Sequence, residues 1–593
     1  MHESQEEASP LRAGHVASAG SIQLKSYTVG AVPIIEHVFR RLNLAEILQR
    51  YLPVEDARTK LSPATGILLL VRNVLICREP IYGVAEWASH YPPDLLGLSE
   101  DQLSSLNDDR LGRSLGSLFA ALAPELILEV VRQAVREFRL RLDELHNDST
   151  TVSFYGSYPD AAVEGLRRGR KTLAVTYGHS KDHRPDLKQL LYVLTVTEDG
   201  GVPVYFTSAS GNTNDDRTHT ETWNLLCQLV GRADFLYVAD CKLASTENMD
   251  YLARRGGRFI TVLPASRRED EAFRRRLGAA GAASLWRHLY DVTETQKDLR
   301  GKEVTGLVDR VSVWAEEWAT SEGYRLLWYH RTRKAELDQI SRQRTTERAL
   351  VELSALQDRL SGPRPRLRKR EEVEQAVQEI LADRQVERWV KVRIQTKELE
   401  SFRQLQRGRP TKDTPYVREV QTRFDLKVDV DSEQLGREAV DDGVFPLLTN
   451  DRAMDAQAIV RAYKRQPQIE KRFSQLKTDF AVAPVYLKEV SRIQGLLAVY
   501  FLALLVQTLL ERELRQAMQK EHIEHLPLYA EGRDCRRPTA RKLFDLFESI
   551  QRHELKTSDG GRQVLTTELN PLQKQILALL RIPAETYGQP TTG

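Results

Sequence analysis

The sequence predicts an α/β fold: a mixed-sheet core, split by a large insertion, with a helical region before it and a helical tail after it. Strand-like segments rich in Val, Thr, Tyr and Phe begin abruptly at Leu142, where a helical periodicity ends. Strand and helix signals then alternate as far as Pro264 and resume at Asp442, the rhythm of a layered α/β core. Between 265 and 441 the alternation is lost, so that stretch reads as an insertion domain.

Taken in order, residues 1–22 are polar, lack the apolar stretch of a signal peptide, and read as a disordered tail. Residues 23–141 read as a helical N-terminal domain. Apolar residues recur at helical spacing in VPIIEHVFRRLNLAEILQRYL (32–52), and in SPATGILLLVRNVLI (62–76) Ser62 can cap while Pro63 takes the first turn. The first part of the core, 142–264, carries strand signals in LDELHNDSTTVSFYG (142–156), KTLAVTYG (171–178), LLYVLTVTEDG (190–200), VPVYFTSAS (202–210), FLYVAD (235–240) and FITVLP (259–264). Helical stretches fall at 217–230 and 244–254. The insertion, 265–441, holds a long charged helix near 335–359 and the basic run GPRPRLRKR (362–370). The second part of the core, 442–515, opens with the strand DGVFPLLTND (442–451), continues through YKRQPQIEKRFSQLK (463–477), and ends in an apolar helix. Residues 516–593 are expected to be helical.

Composition narrows the class without naming a partner. Of 593 residues 41% are hydrophobic and 28% charged, an ordinary globular balance that implies several domains. The 86 basic and 83 acidic residues leave a net charge of only +3, so any grip on nucleic acid must come from local clusters. The four cysteines include no C-x-x-C pair, which argues against a thiolate zinc site and fits a reducing cytoplasm. The apolar run 496–506 falls short of the roughly 20 residues a membrane span requires, and reads as a buried core helix. Walker and nucleophile-elbow motifs are absent from the sequence, which disfavours a P-loop motor and an α/β-hydrolase.

The chemistry-bearing residues are carboxylates. Asp148 interrupts the first strand among Ser and Thr; its alternative is a polar residue on an exposed strand face. Asp240 ends the apolar run FLYVAD, where α/β sheets place ligands, although an Asp there can equally cap the next helix. Glu470 lies in a helical pattern, and Tyr463, Glu470 and Lys477, seven apart, would share one face of a continuous helix. Pro467 means that this helix either kinks or begins there. His179 and His183 sit at metal-ligand spacing but in a polar connection, where solvation is the expected state. Asp215 and Asp216 read as turn residues after Asn214, with an approach to the metal site as the alternative. Basic residues cluster at Arg167, Arg168, Arg170 and Lys171, between the first two strands. Five of the seven tryptophans lie in the insertion; most are expected in its core, with one available to stack on an unpaired base.

The order strand Asp, Asp after an apolar strand, long insertion, helix Glu resembles the DDE transposases of bacterial insertion sequences, members of the retroviral-integrase and ribonuclease-H-like superfamily. The resemblance is to the subgroup with a Tyr-x2-Arg-x3-Glu-x6-Lys signature: Tyr463, Glu470 and Lys477 fall at signature positions, and Gln466 stands where the Arg belongs, with Arg465 beside it. The segments GHSKDHRPDLKQLLY (178–192), SGNTNDDRTHTETW (210–223) and LLTND (447–451) also look typical of such proteins. The resemblance implies a ribonuclease-H-like core in which Asp148, Asp240 and Glu470 are the catalytic and metal-binding acids. They would hold two Mg²⁺ ions, with Mn²⁺ as substitute, because two-metal phosphodiester chemistry calls for oxygen ligands. It implies further that Tyr463 and Lys477 contact phosphate and that Arg465 supplies the missing Arg; the cluster Arg167, Arg168, Arg170 and Lys171 is read as DNA-binding because phosphate contacts by Lys and Arg dominate DNA affinity, with a solvated surface as the alternative. The implied partners are transposon-end inverted repeats and target DNA, bound in the cytoplasm at the nucleoid by a homodimer when ends are paired, with no membrane. A structure-selective nuclease with the same acids, and a catalytically idle DNA-binding descendant, are the alternatives.

Overall fold

The computed structural model describes residues 23–54, 59–278, 282–297, 303–362, 365–405, 407–483, 485, 487–529, 531–556 and 562–588. The disordered tail expected over 1–22 lies outside the described residues. The chain forms two compact units, residues 1–238 with 465–593, and residues 239–464.

The first unit opens with strand β1 (Gln23–Thr28), followed by helices α1 (Pro63–Ile76), α2 (Asp108–Ala121) and α3 (Pro124–Phe138). Ser62 caps α1, its side chain accepting from the Thr65 amide, and Pro63 occupies the first turn, where its missing N–H costs nothing. Four core strands follow: β2 (Glu144–Phe154), β3 (Lys188–Thr197), β4 (Pro203–Ser210) and, after helix α4 (His219–Val230), the short β5 (Leu236–Val238). Their order is β4-β3-β2-β5. The first three are antiparallel, whereas β5 runs parallel to β2 in the register Glu144↔Leu236 to His146↔Val238. KTLAVTYG is not the full strand expected. Only Arg170–Thr172 pairs, in a small hairpin with Gly165–Arg167, and beyond it Val175 bonds to Ala161 while Thr176 bridges to Gln189.

The second unit contains an antiparallel sheet and a helical body. Its strands are β6 (Arg258–Val262), β7 (Trp286–Lys297), β8 (Glu303–Trp314), β9 (Arg325–Arg331), the long hairpin β10 (Val390–Gln404) and β11 (Tyr416–Val430), and β12 (Val444–Thr449). β12 pairs with β6 on one side and β9 on the other, and β8 and β7 extend the sheet outward. Strands drawn from 265–441 thus continue the sheet of β6 and β12. Helices α5 (Thr332–Ser361) and α6 (Arg370–Arg384) with the β10–β11 hairpin enclose a core of their own around Leu353, Leu356, Val373, Trp389 and Phe424. Trp328 stacks on Phe273 at 3.7 Å, with Trp314 and Trp318 edge-on to the same ring, so these three tryptophans belong to an aromatic cluster. The unit ends in α7 (Ala456–Tyr463).

The chain then returns to the first unit with α8 (Pro467–Ser474), a π-helical turn at Gln475–Asp479, and α9 (Val490–Lys520). By length and composition α9 could cross a membrane, but its apolar stretch is buried inside this unit. Phe501 of α9 stacks on Phe206 of β4 at 4.8 Å, and Phe206 on Tyr192 of β3 at 5.5 Å, seating the helix against the sheet. The tail is not wholly helical as expected: β13 (Gln551–Lys556) and β14 (Arg562–Thr566) form a hairpin, and β13 pairs with β1. The N-terminal region likewise begins with a strand.

One buried ion pair ties α8 to α9. Arg472 and Glu511 are 3% and 0% exposed, and the guanidinium donates to Glu511 Oε2 at 3.1 Å, to Gln475 Oε1 at 2.6 Å, and to the carbonyls of Gly200 at 2.6 Å and Gly201 at 2.9 Å in the β3–β4 turn. Burial works against the Glu511 carboxylate, but Arg472 and Arg515 outweigh it and hold its pKa below the usual range. Breaking one partner of such a pair leaves a buried charge uncompensated, at a cost of roughly 3–5 kcal/mol. Glu511→Gln is therefore expected to lower the stability of the first unit by that amount in urea unfolding. A loss under about 1 kcal/mol, the range of an exposed pair, would show that the network is not a structural tie.

Candidate functional site

Within the first unit, Asp148 lies near the middle of β2, half-buried. Its Oδ1 accepts from the Ser149 amide at 2.7 Å and lies 3.4 Å from Lys181 Nζ. The same ammonium reaches Asp215 Oδ2 at 2.9 Å, the Ser149 carbonyl at 2.8 Å and Ser149 Oγ at 2.6 Å. Ser149 Oγ in turn donates to Asp215 Oδ2 at 2.7 Å. A cation thus rests among two carboxylates, a carbonyl and a hydroxyl, all hard oxygen donors of the kind that suit Mg²⁺. Among the described residues no three His, Cys, Asp or Glu side chains come together closely enough to hold an ion. The donor chemistry fits a divalent metal; the protein's own ammonium balances Asp148 and Asp215.

Two glycines bring the Lys181 loop to this place. A Cβ on Gly178 would lie 1.9 Å from the Gly211 carbonyl oxygen, and one on Gly211 would lie 2.1 Å from that of Gln189, so both positions require glycine. Gln189 fastens the crossing, its side-chain amide donating to the carbonyls of Gly211 at 2.9 Å and His179 at 3.2 Å. The segments beginning at Gly178 and Ser210, distinctive in the sequence, are therefore two halves of one backbone contact. His179 and His183, in this loop, are both exposed.

Glu470 is exposed on α8, and the start of that helix is anchored to β2. Pro467 is its first residue, so the helix begins there and does not continue from α7; the single helix carrying Tyr463, Glu470 and Lys477 on one face does not exist. Gln466, in the signature Arg position, is buried. Its Nε2 donates to the Asn147 carbonyl at 3.1 Å, next to Asp148, and its Oε1 pairs with His146 Nδ1 at 2.9 Å. Arg465 makes two bonds to the Glu144 carboxylate, at 2.7 and 2.6 Å, and lies 3.6 Å from Glu198. Arg465 and Gln466, just before α8, therefore serve as its anchors on β2, one turn ahead of Glu470.

The remaining expected site residues fall on several elements of the two units. Lys477, on the π-helical turn, forms an ion pair with Asp182. Arg167, Arg168 and Lys171 are exposed on the small hairpin; Arg170 is partly covered, lying 6.0 Å over the Phe119 ring. In the second unit, Tyr463 ends α7 with its ring 6.4 Å from Phe445. Asp240, also in the second unit, caps the short helix Cys241–Ala244, its Oδ1 accepting from the Lys242 amide at 3.0 Å, and Thr261 Oγ1 donates to its backbone carbonyl at 2.5 Å. Sequence reasoning missed Lys181 and Asp182, because their partners lie dozens to hundreds of positions away; Asp215 sits in the turn expected after Asn214 and from there reaches Lys181.

Glu144 gives the α8 anchor a pH signature. Burial raises its pKa, but bonds from His146 and Arg465 outweigh burial and bring it below the ordinary 4.5. A depressed carboxylate stabilises the fold fully above its ordinary value and loses that contribution as pH falls through the lowered one. Glu144→Gln is thus expected to be less stable than the parent at neutral pH, with the gap closing on acidification below pH 4.5, as followed by thermal melting across a pH series. A gap that stays constant through that range would mean that Glu144 is not held ionised by these partners.

Comparison with known proteins gives a family. No curated protein matches the chain. Among solved structures the chain is similar to piggyBac transposase in the cryo-EM structure of its synaptic complex with hairpin DNA, at 10% identity and a TM-score of 0.22. That likeness covers 50% of this chain and 57% of the other. A domain-family model of unknown function matches residues 24–132, and the model of the transposase DDE domain matches residues 144–506, which run from the start of β2 into α9. Since that match spans more than half of the sequence, the chain belongs to the DDE transposase domain family.

Proposed function

We propose that this chain is the transposase of an insertion sequence: a metal-dependent enzyme that hydrolyses phosphodiesters at the ends of its element and joins the freed ends to target DNA. Asp148, Asp240 and Glu470 are its catalytic acids in this reading. The observation that carries it is a register. β2 and β5 run parallel with partners 92 positions apart, Glu144↔Leu236 through His146↔Val238. Asp148 and Asp240 each come two residues after the last of those pairs along the sequence, and Asp240 follows the carboxyl end of β5, where ligands bind in α/β sheets. Glu470 joins the reading because its helix is anchored by Gln466 to the Asn147 carbonyl beside Asp148. The order β4-β3-β2-β5, with β5 parallel to β2, supports a ribonuclease-H-like core.

In the cleavage step a water oxygen forms a bond to phosphorus and the bond to the 3′ oxygen breaks, leaving a 3′-hydroxyl. In the joining step that hydroxyl forms the new bond to a target phosphorus and displaces the target's own 3′ oxygen. Mg²⁺ or Mn²⁺ ions held by Asp148, Asp240 and Glu470 would stabilise the attacking and leaving oxygens. Lys477 and the exposed Arg167, Arg168 and Lys171 contact phosphates, with Arg170 in the same hairpin. Tyr463 supplies a further phosphate contact. Arg465 serves the site indirectly, by seating α8. The substrates are inverted-repeat ends and target DNA in the nucleoid, and pairing of two ends calls for a homodimer.

Metal ligation depends on three acids, whereas DNA affinity is spread over many phosphate contacts. Asp240→Asn is therefore expected to abolish Mg²⁺-dependent nicking of an end fragment while leaving binding of that fragment intact. Replacing Arg167, Arg168 and Lys171 by Ala is expected to do the converse and flatten the salt dependence of binding. Full nicking by Asp240→Asn would remove the assignment of the acids; an unchanged salt slope in the triple variant would remove only the hairpin contact.

A further inference from the structure

The adjacent residues Lys181 and Asp182 reach in different directions from one loop, and each meets a group of the site. Lys181 lies on Asp148, with Asp215 and Ser149 completing its oxygen surround. Asp182 takes Lys477 on one oxygen and faces Thr151 Oγ1 at 3.4 Å on the other. A small cavity of about 180 Å³ opens beside this second contact, lined by Thr151, Tyr155, Asp182, Arg184 and Lys477 among others.

The loop is shaped to make this presentation. Ser180 Oγ accepts from the amides of Asp182 at 3.3 Å and Arg184 at 3.1 Å, and His183 takes a left-handed conformation at φ 55°, turning the chain sharply after the Lys-Asp pair. The Gly178–Gly211 crossing fixes the base of the same loop. None of the groups is sealed from water: Lys181 is 28% exposed, Asp148 20%, Lys477 28% and Asp182 34%. An incoming cation or phosphate can therefore compete for them.

We infer that Lys181 and Asp182 are positioning residues of the catalytic site, Lys181 as a tethered counter-cation for Asp148 and Asp182 as a tethered anion for Lys477. A divalent ion engages Asp148 by displacing the Lys181 ammonium. A DNA phosphate engages Lys477 by displacing the Asp182 carboxylate. One movement of the loop above its fixed base frees both, so metal and DNA favour the same withdrawn position of residues 180–187, and each binds more tightly in the presence of the other. The inference rests on the assignment of Asp148 and Lys477 proposed above.

The test is Mn²⁺ binding to the full chain without DNA, by titration calorimetry, for the parent, Lys181→Met, Lys181→Arg and Asp148→Asn. Lys181→Met removes the ammonium but keeps the length, and is expected to bind Mn²⁺ about fivefold more tightly, the scale of a partly exposed ion pair. Lys181→Arg is expected to bind like the parent, and Asp148→Asn to lose the site. A purely structural role for Lys181 would instead weaken binding on its removal. Unchanged or weaker binding by Lys181→Met, with the site still lost in Asp148→Asn, would overturn the inference alone. Parent-like binding by Asp148→Asn would overturn the assignment of Asp148, and the inference with it. If Lys181→Met does not fold, Asp182→Asn decides: a metal-free salt series with a short duplex should show tighter binding and a slope steeper by about one counterion, because Lys477 is released to phosphate. The parent slope in that variant would overturn the inference.

Discussion

The placement of helix α8 governs the first unit, and it is set by polar groups that the protein buries at both ends of only eight residues. At the start, Gln466 and Arg465 bind the Asn147 carbonyl and the Glu144 carboxylate of β2. At the other end, Arg472 is taken out of water to meet Glu511 and two carbonyls of the β3–β4 turn. Hydrophobic contact alone would allow such a short helix to slide or rotate; buried hydrogen-bond partners do not, because a lost partner leaves a desolvated group unsatisfied. Glu470 lies between the two anchors with its side chain in solvent. The fold thus spends its buried charge on the orientation of one carboxylate-bearing helix against the strand that carries Asp148.

The charges around Asp148 follow a related logic. Asp148 and Asp215 both approach one oxygen-lined position, and the repulsion between two carboxylates must be relieved within the chain. Lys181 relieves it at Asp148 and Asp215, while Asp182 balances Lys477. Both relieving residues come from a loop whose base is a glycine crossing with no room for a side chain. The distinctive sequence around Gly178 and Gly211 is explained by that contact and by the two opposite charges that the loop delivers.

Much of this was legible in the sequence, where the signal is local. The β-branched and aromatic runs became β2, β3 and β4, Ser62 and Pro63 start α1, and the apolar run 496–506 is buried in α9. Pro467 announced a break, and the structure resolves it as the start of a new helix, which separates Tyr463 from Glu470. Features built by distant partners were not legible. β13 has the charged sequence QRHELK with no strand alternation, and it exists because β1, more than 500 residues earlier, offers an edge: Gln23 pairs with Lys556. KTLAVTYG looks like a strand by composition, yet its backbone bonds are taken by Ala161, Gln189 and Gly211 in a loop. The bonding of Arg465, read as supplying the signature's missing Arg, to Glu144 was not legible for the same reason: the partner lies 321 positions away.

The central claim is that Asp148, Asp240 and Glu470 serve one metal centre, and iron-directed cleavage of the polypeptide tests it most directly. Fe²⁺ bound in place of Mg²⁺, with ascorbate and peroxide, generates oxidant at the ion and cuts the backbone around it. The account predicts cuts near residues 148, 240 and 470 in the same preparation, all suppressed by excess Mg²⁺. Cuts near only one of the three, or at positions remote from all of them, would contradict it.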